Sequence, residues 1–241
     1  MMNTLRVERF IFVVIVALIF TISAITTIRW STSMVGMPGD SMAWQPMCGQ
    51  GWIGAAVSFV GMWAVMMVAM MLPSLSPLLW RHLPSGTPGS VAITAVGYFS
   101  VWIVLGAAIF PVGAMLAVTR IPLPSLGTGL AVSIAGALQF TAWKARHLAC
   151  CRGIPAPASS EVGVAFRHGL RMGMHCCCAC VSFTFVLLAM GVMDLRAMAV
   201  VTTALMLERF APNGTRAARS VGVIAIGAGA IWMVKTLLVL R

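Results

Sequence analysis

Long apolar runs separated by short polar stretches fill the chain from one end to the other. Each run is close to the roughly 20 residues that an α-helix needs to cross about 30 Å of hydrocarbon. The runs cover residues 10–28, 54–72, 91–110, 127–143, 177–193, 195–207 and 220–240. This pattern predicts an all-α fold, a polytopic transmembrane helical bundle of about seven spans that forms one membrane domain over residues 1–241.

Proline and glycine mark the expected ends of these runs. Pro73 and Pro111 follow directly on the second and third runs, and residues 191–194 read as a tight hairpin before the short run at 195–207. The first run has the basic-then-apolar order of a signal peptide. It continues to about Ile28 without a small-residue cleavage site, so we expect an uncleaved first span.

The composition supports a membrane protein. Of the 241 residues, 60% are apolar and 9% are charged, whereas soluble domains carry roughly 25% charged residues. The net charge is +11, but the basic residues sit in short stretches between apolar runs, as expected of charges that set topology and meet anionic lipids. We therefore expect the lipid bilayer, and not nucleic acid, as the partner of this charge.

Counting Lys and Arg on each side gives an orientation. If the N-terminus is cytoplasmic, one side holds Arg6, Arg9, Arg81, Lys144, Arg146, Arg152, Arg167, Arg171, Arg209, Arg216 and Arg219, and the other holds Arg29, Arg120, Arg196, Lys235 and Arg241. Eleven against five predicts a cytoplasmic N-terminus in a bacterial inner membrane. Residues 29–52 then form a Met- and Trp-rich periplasmic loop, and residues 144–170 a basic cytoplasmic loop.

Cysteines concentrate at the expected cytoplasmic end of the fifth run. They are Cys150, Cys151, Cys176, Cys177, Cys178 and Cys180, preceded in the last group by His175. On a helix, Cys176 and Cys180 share a face at i,i+4 spacing, and Cys177 and Cys180 share one at i,i+3. Cytoplasmic thiols stay reduced, which favours metal binding over disulfides. Thiolates favour Cu(I), with zinc or another soft metal as the alternative.

Methionine is the second enrichment, with 19 residues. In the second run, Met66 and Met70 lie on one helical stripe, and Met67 and Met71 on a second stripe beside it. Thioethers can hold Cu(I), but methionine also fills gaps in cores. A further group in the 29–52 loop predicts either metal capture or packing at the membrane interface; its members are Met34, Met37, Met42, Met47 and Cys48.

Two other functions remain open from the residues alone. A thiol–disulfide oxidoreductase would use Cys177 and Cys180 as a CxxC pair. A small-solute transporter or a structural subunit would need intramembrane polar groups, of which Gln139 is the clearest. There is no Ser-His-acid set and no phosphate loop, so no catalytic constellation beyond the CxxC pair is visible, and the sequence leaves enzyme activity open. His147 is expected to be solvated, and Glu208 to pair with loop arginines.

Two segments resemble the DUF2182 family of predicted metal-binding integral membrane proteins. Residues 62–73 resemble its MW-x-x-MM-x-AMM-x-P signature, and residues 169–209 resemble its later Gly, Cys and Glu-Lys pattern. Gln139, Lys144, Cys150 and Cys151-Arg152 match a Q…K…C…CR stretch. The chain departs at Ala179, where the family has a cysteine. The resemblance implies metal binding, often read as copper handling. We expect a metalloprotein client or a membrane complex as a further partner.

Overall fold

The computed structural model describes residues 2–34, 44, 46, 49–82, 88–118, 125–153 and 161–239. Within these ranges the secondary structure is all-α, with eight helices and no strand. The helices are α1 (Met2–Met34), α2 (Trp52–His82), α3 (Pro88–Val118), α4 (Ser125–Leu138), α5 (Ala142–Gly153), α6 (Val162–Met190), α7 (Leu195–Phe210) and α8 (Gly214–Val239).

Five of these helices are long and apolar enough to cross a membrane: α1, α2, α3, α6 and α8. Helices α4 and α5 together form a sixth candidate, bent by 66° at the break between them. The sequence predicted about seven spans. The sixth run, at 195–207, falls in α7, whose 16 residues reach only about 24 Å at 1.5 Å per residue.

Two expected span ends lie inside helices instead. Pro73 and Pro77 are internal to α2, and Pro111 is internal to α3. Transmembrane helices tolerate proline because neighbouring helices and local backbone adjustments satisfy the freed groups. These two helices therefore run past the boundaries that the prolines suggested.

The fourth run and the loop after it also differ from expectation. The run at 127–143 is interrupted at residues 139–141, and the 144–170 stretch holds most of α5 and the first turns of α6. Similarly, α1 continues to Met34, inside the predicted 29–52 loop. The metal-capture hypothesis for that loop stays a prediction, because its candidate ligands lie outside the described part of the chain. These are the side chain of Met34 and the residues Met37, Met42, Met47 and Cys48.

The described chain divides into two compact units. The first contains α1, α2, α3 to Ala114, and α6 up to Met174. Here the Trp63 indole donates a hydrogen bond of 2.9 Å to the Trp102 carbonyl. The hydroxyl of Thr94 donates to the Ala165 carbonyl at 3.3 Å, which ties α3 to the first half of α6.

The second unit contains α4, α5, α6 from His175, α7 and α8. Helices α4 and α8 approach closely at two glycines. A Cβ on Gly222 would lie 2.8 Å from the Gly136 carbonyl oxygen and 2.9 Å from the Gln139 Cβ. Small residues are the usual way in which membrane helices approach at close range. Both α5 and α7 also pack against α8.

Large apolar side chains remain exposed along the long helices. On α1, only 6% of the apolar window is buried, and Phe10, Leu18 and Ile22 are all more than half exposed. Water-facing surfaces rarely carry contiguous apolar patches of this extent. The exposed faces are therefore consistent with a multi-pass protein in a lipid bilayer.

Candidate metal centre

Two thiols of α6 meet in the second unit. The Sγ atoms of Cys176 and Cys180 lie 3.9 Å apart, and each residue is only 1% exposed. The i,i+4 spacing stacks them on one face of the helix, as the sequence predicted. This pair gives α6 a buried face of two sulfur ligands one helical turn apart.

An arginine from α7 faces both sulfurs. Nη2 of Arg209 lies 2.7 Å from the Cys176 Sγ and 3.8 Å from the Cys180 Sγ. The start of α7 is fixed by the Asp194 carboxylate, which accepts hydrogen bonds from two backbone amides of its first turn. The turn before it uses Gly191 at φ 107°, a conformation that favours glycine. The guanidinium places a positive charge at the thiol pair.

A third thiol comes from α5. Cys151 is buried and lies close enough to Cys176 for the two thiols to interact. The end of α5 is held by Arg152, which donates a 2.7 Å hydrogen bond to the Ala211 carbonyl after α7. Three thiols from two helices thus lie around one guanidinium.

A buried ion pair lies close to these thiols. Nζ of Lys144 is 2.8 Å from Oε2 of Glu208 and also donates to the Ala179 carbonyl, between the two cysteines in sequence. Lys144 and Glu208 are 2% and 1% exposed. Glu208 lies on α7, which is too short to be a candidate membrane span. Burial raises the pKa of Glu208, while Lys144, Arg209 and Gln139 oppose the rise. Glu208 was expected to pair with loop arginines; its partner is instead the lysine of α5.

Two imidazoles meet on the same pair of helices. Nδ1 of His147 on α5 lies 3.3 Å from Nδ1 of His175 on α6, and both residues are half-buried. Trp143 packs edge-on against the His147 ring, with centroids 4.7 Å apart. The sequence suggested a solvated His147. The structure places it against His175, one turn along α5 from Cys151.

The comparison with known proteins bears on this arrangement. Residues 60–232 match the family model described as PpoB2, copper chaperone. The chain belongs to this copper chaperone family. The match takes in α5, α6 and α7 completely, and it confirms the expectation of a copper-related family. No curated protein and no solved structure matches the chain.

The other predicted ligands differ from the central thiols in burial or belong to the other unit. Cys177 and Cys178 are half-buried, and Cys150 is exposed. The second-run methionines are all buried in the core of the first unit; they are Met66, Met67, Met70 and Met71. Their expected role as a thioether shell stays a prediction.

The geometry limits how the protein holds an ion. In the described part of the chain, no three His, Cys, Asp or Glu side chains are placed so that they hold one ion together. Two sulfurs 3.9 Å apart do fit one: at about 2.3 Å from each, the angle at the ion is roughly 115°. The side chains as they stand therefore bring two sulfur atoms together, with the third thiol nearby.

Sequence reasoning from spacing missed the charged partners of the thiols. Arg209, Lys144 and Glu208 are distant in sequence, and spacing rules see only residues on one helix. One signal was available: a chain with 9% charged residues carries Lys144 and Glu208 beside apolar runs, where a charge needs a partner. The resemblance had also included both residues, without giving them a role.

Proposed function

We propose that this chain is a membrane-embedded copper chaperone that binds Cu(I) between Cys176 and Cys180 and delivers it to a metalloprotein client. The observation that carries the proposal is the buried sulfur pair with the Arg209 guanidinium at 2.7 Å from Cys176. Soft thiolates favour Cu(I) over harder ions. Cys151, which lies close to Cys176, supplies the third sulfur during transfer to or from the pair.

The charges in the site suit this ion. Two thiolates and one Cu(I) together carry a charge of −1, which a buried site tolerates only if it is compensated. Arg209 contributes +1, so the loaded centre is neutral. The Lys144–Glu208 pair adds no net charge, and Lys144 fixes the Ala179 carbonyl between the two cysteines. A divalent ion in the same two-thiolate site would leave an excess positive charge.

An anaerobic copper titration tests this proposal. The full chain in detergent competes for Cu(I) with a chromophoric chelator, and we expect one tightly bound equivalent. Cys176→Ser/Cys180→Ser removes it. The matched control is Cys177→Ser/Cys178→Ser, on the same turns of α6 but only half-buried, and it keeps near wild-type affinity. Sub-stoichiometric copper in the wild type, or equal losses in both double variants, contradicts the proposal.

Arg209 offers a second variant at the same site. A hydrogen bond to a charged group contributes about 1.5–3 kcal/mol. Arg209→Met should therefore weaken Cu(I) binding by roughly 10- to 100-fold. Arg209→Lys keeps the positive charge and introduces the lysine of the family's Glu-Lys pattern. It should therefore recover part of the loss in Cu(I) affinity. If the two variants bind Cu(I) equally, the charge of residue 209 has no part in binding.

The orientation is part of the proposal. A cytoplasmic N-terminus in a bacterial inner membrane is supported by the excess of basic residues on one side of the predicted spans. The DUF2182 assignment is supported by the two sequence segments that resemble that family. Cys150 is exposed on α5 and makes a convenient label. An impermeant maleimide should label it in inside-out vesicles and not in intact spheroplasts. Labelling from the outside reverses this topology.

The oxidoreductase reading finds less support in the geometry. It needs Cys177 and Cys180 as partners, but the sulfur contact of Cys180 is with Cys176, one turn away on the same face. Copper handling accounts for that pairing and for the guanidinium beside it. We therefore keep copper delivery as the proposed function.

A further inference from the structure

The imidazole pair of α5 and α6 has a geometry of its own. The two Nδ1 atoms of His147 and His175 point at each other across 3.3 Å. Either one carries a proton that the other accepts, or both lone pairs face a shared ion. Two nitrogens 3.3 Å apart fit an ion at about 2.0–2.1 Å from each when the angle at the ion is roughly 107°. That angle is close to the tetrahedral value.

The surroundings hold both rings in this arrangement. The edge-on contact with Trp143 supports the His147 ring, and the His175 ring packs against His147 with centroids 5.5 Å apart. Both imidazoles are half-buried, so water can complete the coordination of a bound ion. Supported orientation of ligating imidazoles is a general property of metal sites.

We propose that His147 and His175 form a second metal site, which takes a divalent transition ion of borderline softness such as Zn²⁺ or Cu²⁺. Imidazole prefers these ions, whereas the thiols prefer Cu(I). The site lies about one helical turn along α5 from Cys151, so the chain has capacity for two ions of different chemistry. This inference goes beyond the proposed function and does not depend on it.

Co²⁺ is a suitable probe, because its absorption separates imidazole from thiolate ligands and it does not oxidise thiols. Titrated anaerobically into the full chain in detergent, it should bind at one equivalent through nitrogen, without a sulfur-to-metal charge-transfer band. That binding should persist in Cys176→Ser/Cys180→Ser. Any charge-transfer band that disappears in this variant belongs to the thiol site.

The histidine variants decide the outcome. His147→Gln and His175→Gln keep a side chain that can hydrogen-bond. Each should weaken Co²⁺ binding by more than about 100-fold, because removing a residue that only supports a metal ligand already lowers metal affinity by about 10- to 100-fold. His168→Gln, two turns earlier on α6, is the matched control and should leave binding unchanged. Unchanged Cu(I) titration and thermal unfolding confirm that the variants fold.

Two results overturn the inference. If the wild type takes up no Co²⁺ at tens of micromolar, the two imidazoles share a proton and nothing more. If Co²⁺ binding follows the cysteines and is unaffected by the histidine variants, the ion occupies the thiols. Neither result touches the Cu(I) proposal, which rests on a separate titration with a different ion.

Discussion

Breaking the ion pair between Lys144 and Glu208 should cost more stability than any other charge substitution in the second unit. Both side chains are almost fully buried, and 2.8 Å separates Nζ from Oε2. Removing one partner of a buried pair leaves the other charge uncompensated, which costs about 3–5 kcal/mol. Lys144→Met strands the carboxylate, and Glu208→Gln strands the ammonium. Each single variant should therefore be strongly destabilised.

The double variant separates the pair from the individual residues. With both charges gone, neither is stranded, so Lys144→Met/Glu208→Gln should lose well under the sum of the two single losses. The coupling energy should reach about 2–3 kcal/mol, near the upper end for residues in direct contact. Gln139 lies beside Glu208 and can hydrogen-bond the glutamine that replaces it.

Thermal unfolding in detergent, followed by intrinsic tryptophan fluorescence, measures these losses. A change of 1 kcal/mol shifts Tm by roughly 2–4 °C in a chain of this size, so each single variant should lose about 6–20 °C. Lys235→Met and Glu161→Gln are matched controls at exposed positions and should stay close to the wild type. Additive losses in the double variant, or single variants as stable as the controls, would refute the reasoning.

Three further substitutions test the packing that positions the site, each by the same unfolding assay. Gly222→Ala should cost about 1–3 kcal/mol, because its methyl group meets the Gly136 carbonyl at 2.8 Å, whereas Gly227→Ala, with nothing within 4 Å, should be tolerated. Asp194→Ala removes the cap of α7 and should cost about 0.5–2 kcal/mol; an unchanged Tm would show that the turn alone fixes the helix. Trp63→Phe removes the indole N–H that bonds the Trp102 carbonyl in addition to the helical amide, and should cost about 0.5–1.5 kcal/mol; an unchanged Tm would mean that packing dominates there.

The membrane class follows from the sequence because it depends on summed quantities. With 60% apolar residues and few charges, no arrangement of this chain covers a core with a polar surface. The ends of the helices depend on local competition instead. Pro73 and Pro111 each remove a backbone hydrogen bond from their helix, as proline does in any helix. Packing and the apolar surroundings nevertheless favour a helix that continues past them.

The candidate site was predictable only to the extent that it lies on one helix. The face shared by Cys176 and Cys180 follows from i,i+4 spacing, and their sulfurs lie 3.9 Å apart. The position of Cys151 depends on the break at residues 139–141, which turns α5 away from the axis of α4. Spacing rules do not give the angle of such a break, so contacts that α5 makes with α6 and α7 could not be anticipated.

The break between α4 and α5 also explains why a strongly apolar chain keeps charged groups here. Without it, Lys144 would continue along α4 as an isolated charge on a lipid-crossing helix, at a cost of about 2.5–3.5 kcal/mol near the centre. The bend brings Lys144 to Glu208, and Cys151, two turns further along α5, lies close to Cys176. The same change of direction that satisfies the lysine therefore assembles the third thiol. A variant that restored a continuous helix across residues 139–141 should lose both contacts together.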